Sequence, residues 1–146
     1  MKKHKIKWPE ITSKFVGIPY NQNSWDIRNG LDCLSFFILF LRELGHKPKL
    51  EFKGITPANA VELWKTDRNK ANELWIEYIK NNSIEVSESN MKNGDILVAE
   101  LMVNNKKEIC FGFYFQPSNI LISHTNCKIG LHPLSVYNIK GVYSWV

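Results

Sequence analysis

The chain has 146 residues, 44% of them hydrophobic and eight Phe and five Trp among them, which is enough for one real core. Its formal net charge of +5 owes much to Lys2, Lys3, Lys5 and Lys7, a basic arm with no basic helix or reader motif behind it, so nucleic-acid binding is set aside. The apolar run Leu34–Leu41 is far short of the ~20 residues of a membrane span, and three cysteines without CxxC spacing argue against a disulfide framework.

Taken in order, residues 1–14 read as an extended, basic lead-in with a short helix from Pro9, where proline suits a first helical position. The lysines run into Trp8, Pro9 and Glu10 rather than an apolar stretch, which predicts synthesis in the cytoplasm without a signal peptide. Phe15 to Tyr20 follows, and Pro19 biases Ile18 to an extended conformation. Asn21 to Asn29 is polar and turn-rich, a loop pinned by Trp25. The organising stretch follows: Gly30-Leu31-Asp32-Cys33, then about three apolar turns of helix to Arg42-Glu43-Leu44, with Gly45 as the stop. Asp32 is the expected cap, which puts Cys33 in the first helical turn. Unpaired N–H groups and the positive end of the dipole favour a thiolate there.

Thr56-Pro57 predicts a second helix through Ala60, Val61 and Trp64, and a third is expected from about Asn69 to Ile79. Trp64, Trp75 and Tyr78 then form an aromatic stripe read as core. From Met91 the pattern turns to strands: Ile96–Ala99 with Leu101–Val103, then Ile109–Phe115, Ile120–His124, Leu134–Tyr137 and a closing Gly141–Val146. Helices followed by an antiparallel sheet is an α+β layout, and nothing divides residues 1–146 into more than one domain, with residues 55–82 as a helical insert.

Gly17-Ile18-Pro19-Tyr20, Gly30-Leu31-Asp32-Cys33, the helix ending at Gly45, Gly94-Asp95 opening a strand, and the closing Gly141-Val142-Tyr143 together resemble the NlpC-type cysteine peptidases of bacterial cell walls. The resemblance is closest to the branch found in phage tail tips, which carries a helical insert and a short closing strand. It implies a papain-like fold, a peptidoglycan peptide or related amide as substrate, phage tail proteins as partners, a place in a virion tail, and no cofactor or metal. By the same resemblance Cys33 is the nucleophile, Tyr20 stands beside it, and His124 takes the place of the polar residue that orients the catalytic imidazole.

The sequence departs from that pattern at the base. Where the family strand reads His-x-Gly-x-aromatic, this one reads Cys110-Phe111-Gly112-Phe113-Tyr114. The paired glycines after Pro-Tyr are replaced by about Asn23 and Ser24. A free thiol is only a few per cent ionised at neutral pH, and a second thiol neither activates it nor protonates a leaving amine. Four readings stay open on the sequence: a Cys33–His124 dyad; a silent structural or binding domain; a metal held by Cys33, Cys110 and His124; or a Cys33–Cys110 redox pair. Asn126, on the same strand face as His124, and His132 are auxiliary candidates. Cys127 reads as a bystander, and Asp95 as a backbone-bonding turn residue.

Overall fold

A computed structural model describes residues 6–124 and 127–146. Helix α1 (Trp8–Phe15) begins one residue before Pro9, with the proline in its first turn, and ends at the fully buried Phe15. Helix α2 (Cys33–Glu43) forms where a capping box meets an apolar run. The Ser35 N–H donates to Asp32 Oδ1 at 2.8 Å, and the Asp32 N–H donates back to Ser35 Oγ at 2.9 Å. At the other end Gly45 takes φ +91, the left-handed conformation of a helix stop.

Helices α3 (Pro57–Thr66) and α4 (Arg68–Asn82) make up the insert. Asp67 caps α4 by accepting from the Lys70 N–H, so this helix starts one residue earlier than its apolar spacing implies and runs three residues further. Strands β1 (Ser83–Glu85), β2 (Ile96–Val103), β3 (Lys106–Phe115), β4 (Asn119–Ile122), β5 (Gly130–Pro133) and β6 (Asn138–Trp145) form one sheet in the order β1-β6-β2-β3-β4-β5. Every neighbouring pair is antiparallel.

Two strand expectations are corrected. Leu134–Val136 is a 3-10 turn, and the strand lies before it at Gly130–Pro133. Proline has no N–H to give a ladder, so β5 ends there as an edge strand and the chain turns away. The two short runs expected at 96–103 are one strand, paired with β3 from Ile96 to Val103, with a register shift against β6 between Val98 and Ala99.

Alternation along the strands splits the interior into two layers. Ile96, Val98, Phe113, Phe115, Leu121 and Tyr143 face α2, and Phe113 is its hub, with ring centroids 4.1 Å from Phe40 and 5.3 Å from Phe37. Leu97, Ala99, Tyr114, Ile120, Ile122 and Tyr137 pack on the opposite face. Helix α2 is therefore held along most of its length, and its N-terminal turn is delivered to a fixed place beside the end of β4.

Candidate functional site

The site begins with the loop that leads into α2. Tyr20 bridges to Leu31 in parallel, and Gly30 between them sits at φ +107, where an added Cβ would lie 2.6 Å from the Pro19 carbonyl oxygen. No other residue type fits that turn. The positions that replace the family's glycine pair have an account as well. Asn23 adopts φ +64, a conformation asparagine tolerates, and its N–H donates to Asp32 Oδ2 at 2.8 Å. The Asp32 carboxylate thus holds both the loop and the helix start, and it is buried.

Cys33 follows as the first residue of α2, half-buried. Its thiol donates to the Ser123 carbonyl at 3.2 Å, just past the end of β4. Burial pushes the Cys33 thiol up to about 12 against the smaller lowering by the Ser123 side chain, and the Asp32 and Cys110 charges add lesser pushes upward. This is the reverse of an activated nucleophile: the helix terminus is in place, but a carboxylate and a second thiol stand where a cation would be needed.

Cys110 lies on β3 opposite Ala99, packed against the second layer with Tyr137 in it. Its own thiol is pushed up to about 11, first by burial and then by Glu108. It occupies the strand position two residues before Gly112. That glycine is required by packing, because a Cβ there would meet Ile120 at 2.7 Å and the Leu121 carbonyl oxygen at 2.8 Å.

His124 is turned to a different partner. Its Nε2 lies 2.8 Å from the Tyr137 hydroxyl, the two rings are parallel within 1°, and the same hydroxyl lies 3.4 Å from His132 Nδ1. Burial and the neighbouring His132 both lower the His124 pKa, so the ring is neutral at pH 7. Among the described residues the structure brings Cys33 to Ser123 and within electrostatic reach of Cys110, and it brings His124, His132 and Tyr137 together. Among their hydrogen bonds, none joins the Cys33 thiol to an imidazole. No group of three His, Cys, Asp or Glu side chains among the described residues is placed to hold a metal ion, and all three cysteines are free. Asn126 lies outside the described residues, while Cys127 is exposed and Asp95 accepts from the Lys92 N–H as a turn residue should.

Two features had no sequence signal. Tyr137, read as a strand residue, is the partner of both histidines, which depends on the turn after β5. The other is a cavity of about 140 Å³ between α2 and the insert, lined by Tyr20 and Cys33 on one side and by Trp64, Trp75 and Tyr78 on the other. The aromatic stripe expected to be plain core is thus a cavity wall, and of its three members Tyr78 is buried while Trp64 and Trp75 are partly exposed.

No protein-family model matches the chain, and no curated protein sequence does. Among solved structures the chain is similar to a Staphylococcus aureus subsp. aureus Mu50 protein described as similar to lipoprotein, NLP/P60 family, with a TM-score of 0.61 and 12% sequence identity. The match covers 94% of this chain and 40% of that one, so the chain spans well under half the length of its structural neighbour. A likeness at this identity is a likeness of fold: the α+β, papain-like arrangement of an NLP/P60 protein. It reaches that level and not the tail-associated branch.

Proposed function

We propose that this chain is a ligand-binding domain on a cell-wall peptidase fold, with Cys33 at its binding site and catalytically silent. The observation that carries this reading is the pairing at the site: the Cys33 thiol is given to the Ser123 carbonyl while the His124 ring is given to Tyr137. Amide hydrolysis by a cysteine needs a sulfur–carbon bond to form, the carbon–nitrogen bond to break with a proton delivered to the amine, and water to return the thiol from the thioester. With its pKa pushed up to about 12 by burial, the thiol stays protonated at pH 7. Among the described residues no imidazole is hydrogen-bonded to it to supply the amine's proton.

The binding half of the reading rests on what is retained. A capped helix N-terminus presents its first N–H groups at Cys33, and the cavity adjoins it. The resemblance in sequence supplies a peptidoglycan peptide or related amide as ligand. The insert and closing strand are what support a place in a tail assembly.

Replacement of Cys110 by histidine is the test, since it restores an imidazole at the expected position. The Cys110→His variant should show a Cys33 pKa lowered by several units, read from the pH dependence of iodoacetamide alkylation by mass spectrometry. It should also release peptide from purified cell wall where the parent chain does not. One observation favours the peptidase reading instead: His124 directly follows Ser123, so its imidazole is anchored one residue from the carbonyl that holds the thiol. Peptide release by the parent chain, lost in both Cys33→Ser and His124→Ala, would establish that reading and overturn the silent one.

A further inference from the structure

The β2–β3 hairpin extends past the rest of the sheet. Strand β6 pairs with β2 only as far as Glu100, and β4 pairs with β3 only from Gly112. Leu101–Val103 and Lys106–Ile109 therefore pair with each other as a two-stranded arm. Its turn is Asn104-Asn105, with φ of +51 and +65, the two left-handed residues that a tight two-residue hairpin turn requires. The end of the arm is thus a fixed shape. There Met102 lies across from Lys107 and Val103 across from Lys106. Cross-strand partners share a face, so each face of the arm's end carries one aliphatic side chain beside one lysine. Met102 is 59% and Val103 41% exposed, and residues 104–107 around them are exposed as well.

The charge at this end is positive. Arg68, at the start of α4, reaches Glu108 of the arm through two 2.9 Å hydrogen bonds, which ties the α3–α4 corner and its exposed Lys65 and Lys70 to the hairpin. The carboxylates of the region are already engaged: Glu108 by Arg68, Glu100 by Lys140 at 3.9 Å, and Asp67 by the Lys70 N–H. Lys106 and Lys107 have no carboxylate partner among the described residues. Two other kinds of partner fit less well. Lysines on the free edges of the arm oppose the addition of another strand. The arm's end offers no aromatic ring for a base to stack on, and the Trp64 ring of the corner lies against the Arg68 guanidinium at 4.1 Å.

We infer that the end of this hairpin docks on an anionic phospholipid surface. Met102 and Val103 enter the boundary between headgroups and acyl chains. Lys106 and Lys107 lay their methylene stems beside them and keep their ammonium groups at the lipid phosphates. Exposed aliphatic groups account for the apolar half of that contact, and uncompensated lysines for the anionic half. The contact is peripheral and reversible, and it weakens with salt. It is independent of the reading of Cys33.

Co-sedimentation of the full chain with phosphatidylcholine vesicles, with and without phosphatidylserine, tests the inference. Binding should be about tenfold stronger or more with the anionic lipid, and should fall at high salt. Met102→Ser with Val103→Ser, which leaves the turn and the lysines in place, should weaken it about fivefold. Lys106→Gln with Lys107→Gln should weaken it about tenfold or more. Leu131→Ser, an equally exposed apolar position on the edge strand β5, should leave it unchanged. Failure to bind, or equal binding to both kinds of vesicle, would overturn the inference. So would binding that needs the lysines but ignores the Met102 and Val103 changes, since that is attraction to a polyanion without entry into lipid. Binding that survives both hairpin variants and is lost when Lys2, Lys3, Lys5 and Lys7 become Gln would place the contact on the basic N-terminal arm and overturn it as well.

Discussion

At Cys33 two effects of opposite sign meet on one atom. The helix N-terminus favours a thiolate by at most about 2 kcal/mol, roughly one and a half pKa units. Burial and the charges of Asp32 and Cys110 outweigh that help and leave the thiol near 12. Asp32→Asn isolates the charge: the Ser35 hydrogen bond survives, the Asn23 one does not, and the negative charge is gone. Cys33 alkylation at pH 9 should then rise about three- to tenfold, with exposed Cys127 as the unchanged internal control. Stability should fall by about 1 kcal/mol from the lost hydrogen bond. An unchanged Cys33 rate would mean that burial alone sets its pKa. The sequence makes Cys33 legible through its cap and Cys110 through its spacing from Gly112. It does not reveal where the His124 ring turns, because that depends on Tyr137 arriving from a turn thirteen residues away.

At the scale of elements, the boundaries that could be read were those with local chemistry. Asp32 and Gly45 bracket α2, and Thr56-Pro57 opens α3. The boundaries that could not be read depend on partners far along the chain. Strand β1 is three residues whose pairing with β6 no local pattern announces, and β5 exists because β4 lies beside it. Likewise the stripe Trp64–Trp75–Tyr78 has helical spacing whether it faces packed core or a cavity, so periodicity was silent on the difference. Gly112 tests how closely β3 and β4 must approach. Gly112→Ala drives a Cβ onto Ile120 and against the rigid Leu121 carbonyl, so it should cost about 1–3 kcal/mol by urea denaturation. The same displacement shifts β3 where it carries Cys110 and β4 where it leads to Ser123. Cys33 alkylation should therefore change along with stability, whereas a purely local strain would move the urea midpoint alone.

For the whole molecule, the buried titratable groups predict the shape of stability against pH. The Cys33 thiol rises from an ordinary 9.0 to about 12, and Cys110 from 9.0 to about 11. A group whose folded pKa is raised holds its proton in the native state after the unfolded chain has lost it. Above pH 9 the unfolded state therefore binds fewer protons, and stability falls as pH rises toward 11–12. Between pH 9 and 10 two such thiols amount to about 2 kcal/mol. Tyr78 and Tyr137, each raised from 10.0 to about 12 by burial, join the decline only above pH 10. On the acid side His124 has the opposite sign. Its folded pKa lies below 6.5, so the unfolded chain takes up a proton first, and stability present above 6.5 is lost as pH falls through the folded value. Urea unfolding at pH 7.5, 9 and 10 should show the alkaline loss in the parent chain. The slope between 9 and 10 should flatten in a Cys33→Ser, Cys110→Ser double variant, whatever that variant's absolute stability. A decline of equal slope in the two proteins would assign it to other groups and would mean that neither thiol is held neutral by the fold. Because the silent reading of the site depends on a neutral Cys33, the same measurement bears on function: a thiol that does not resist ionisation between pH 9 and 10 is available to attack a carbonyl.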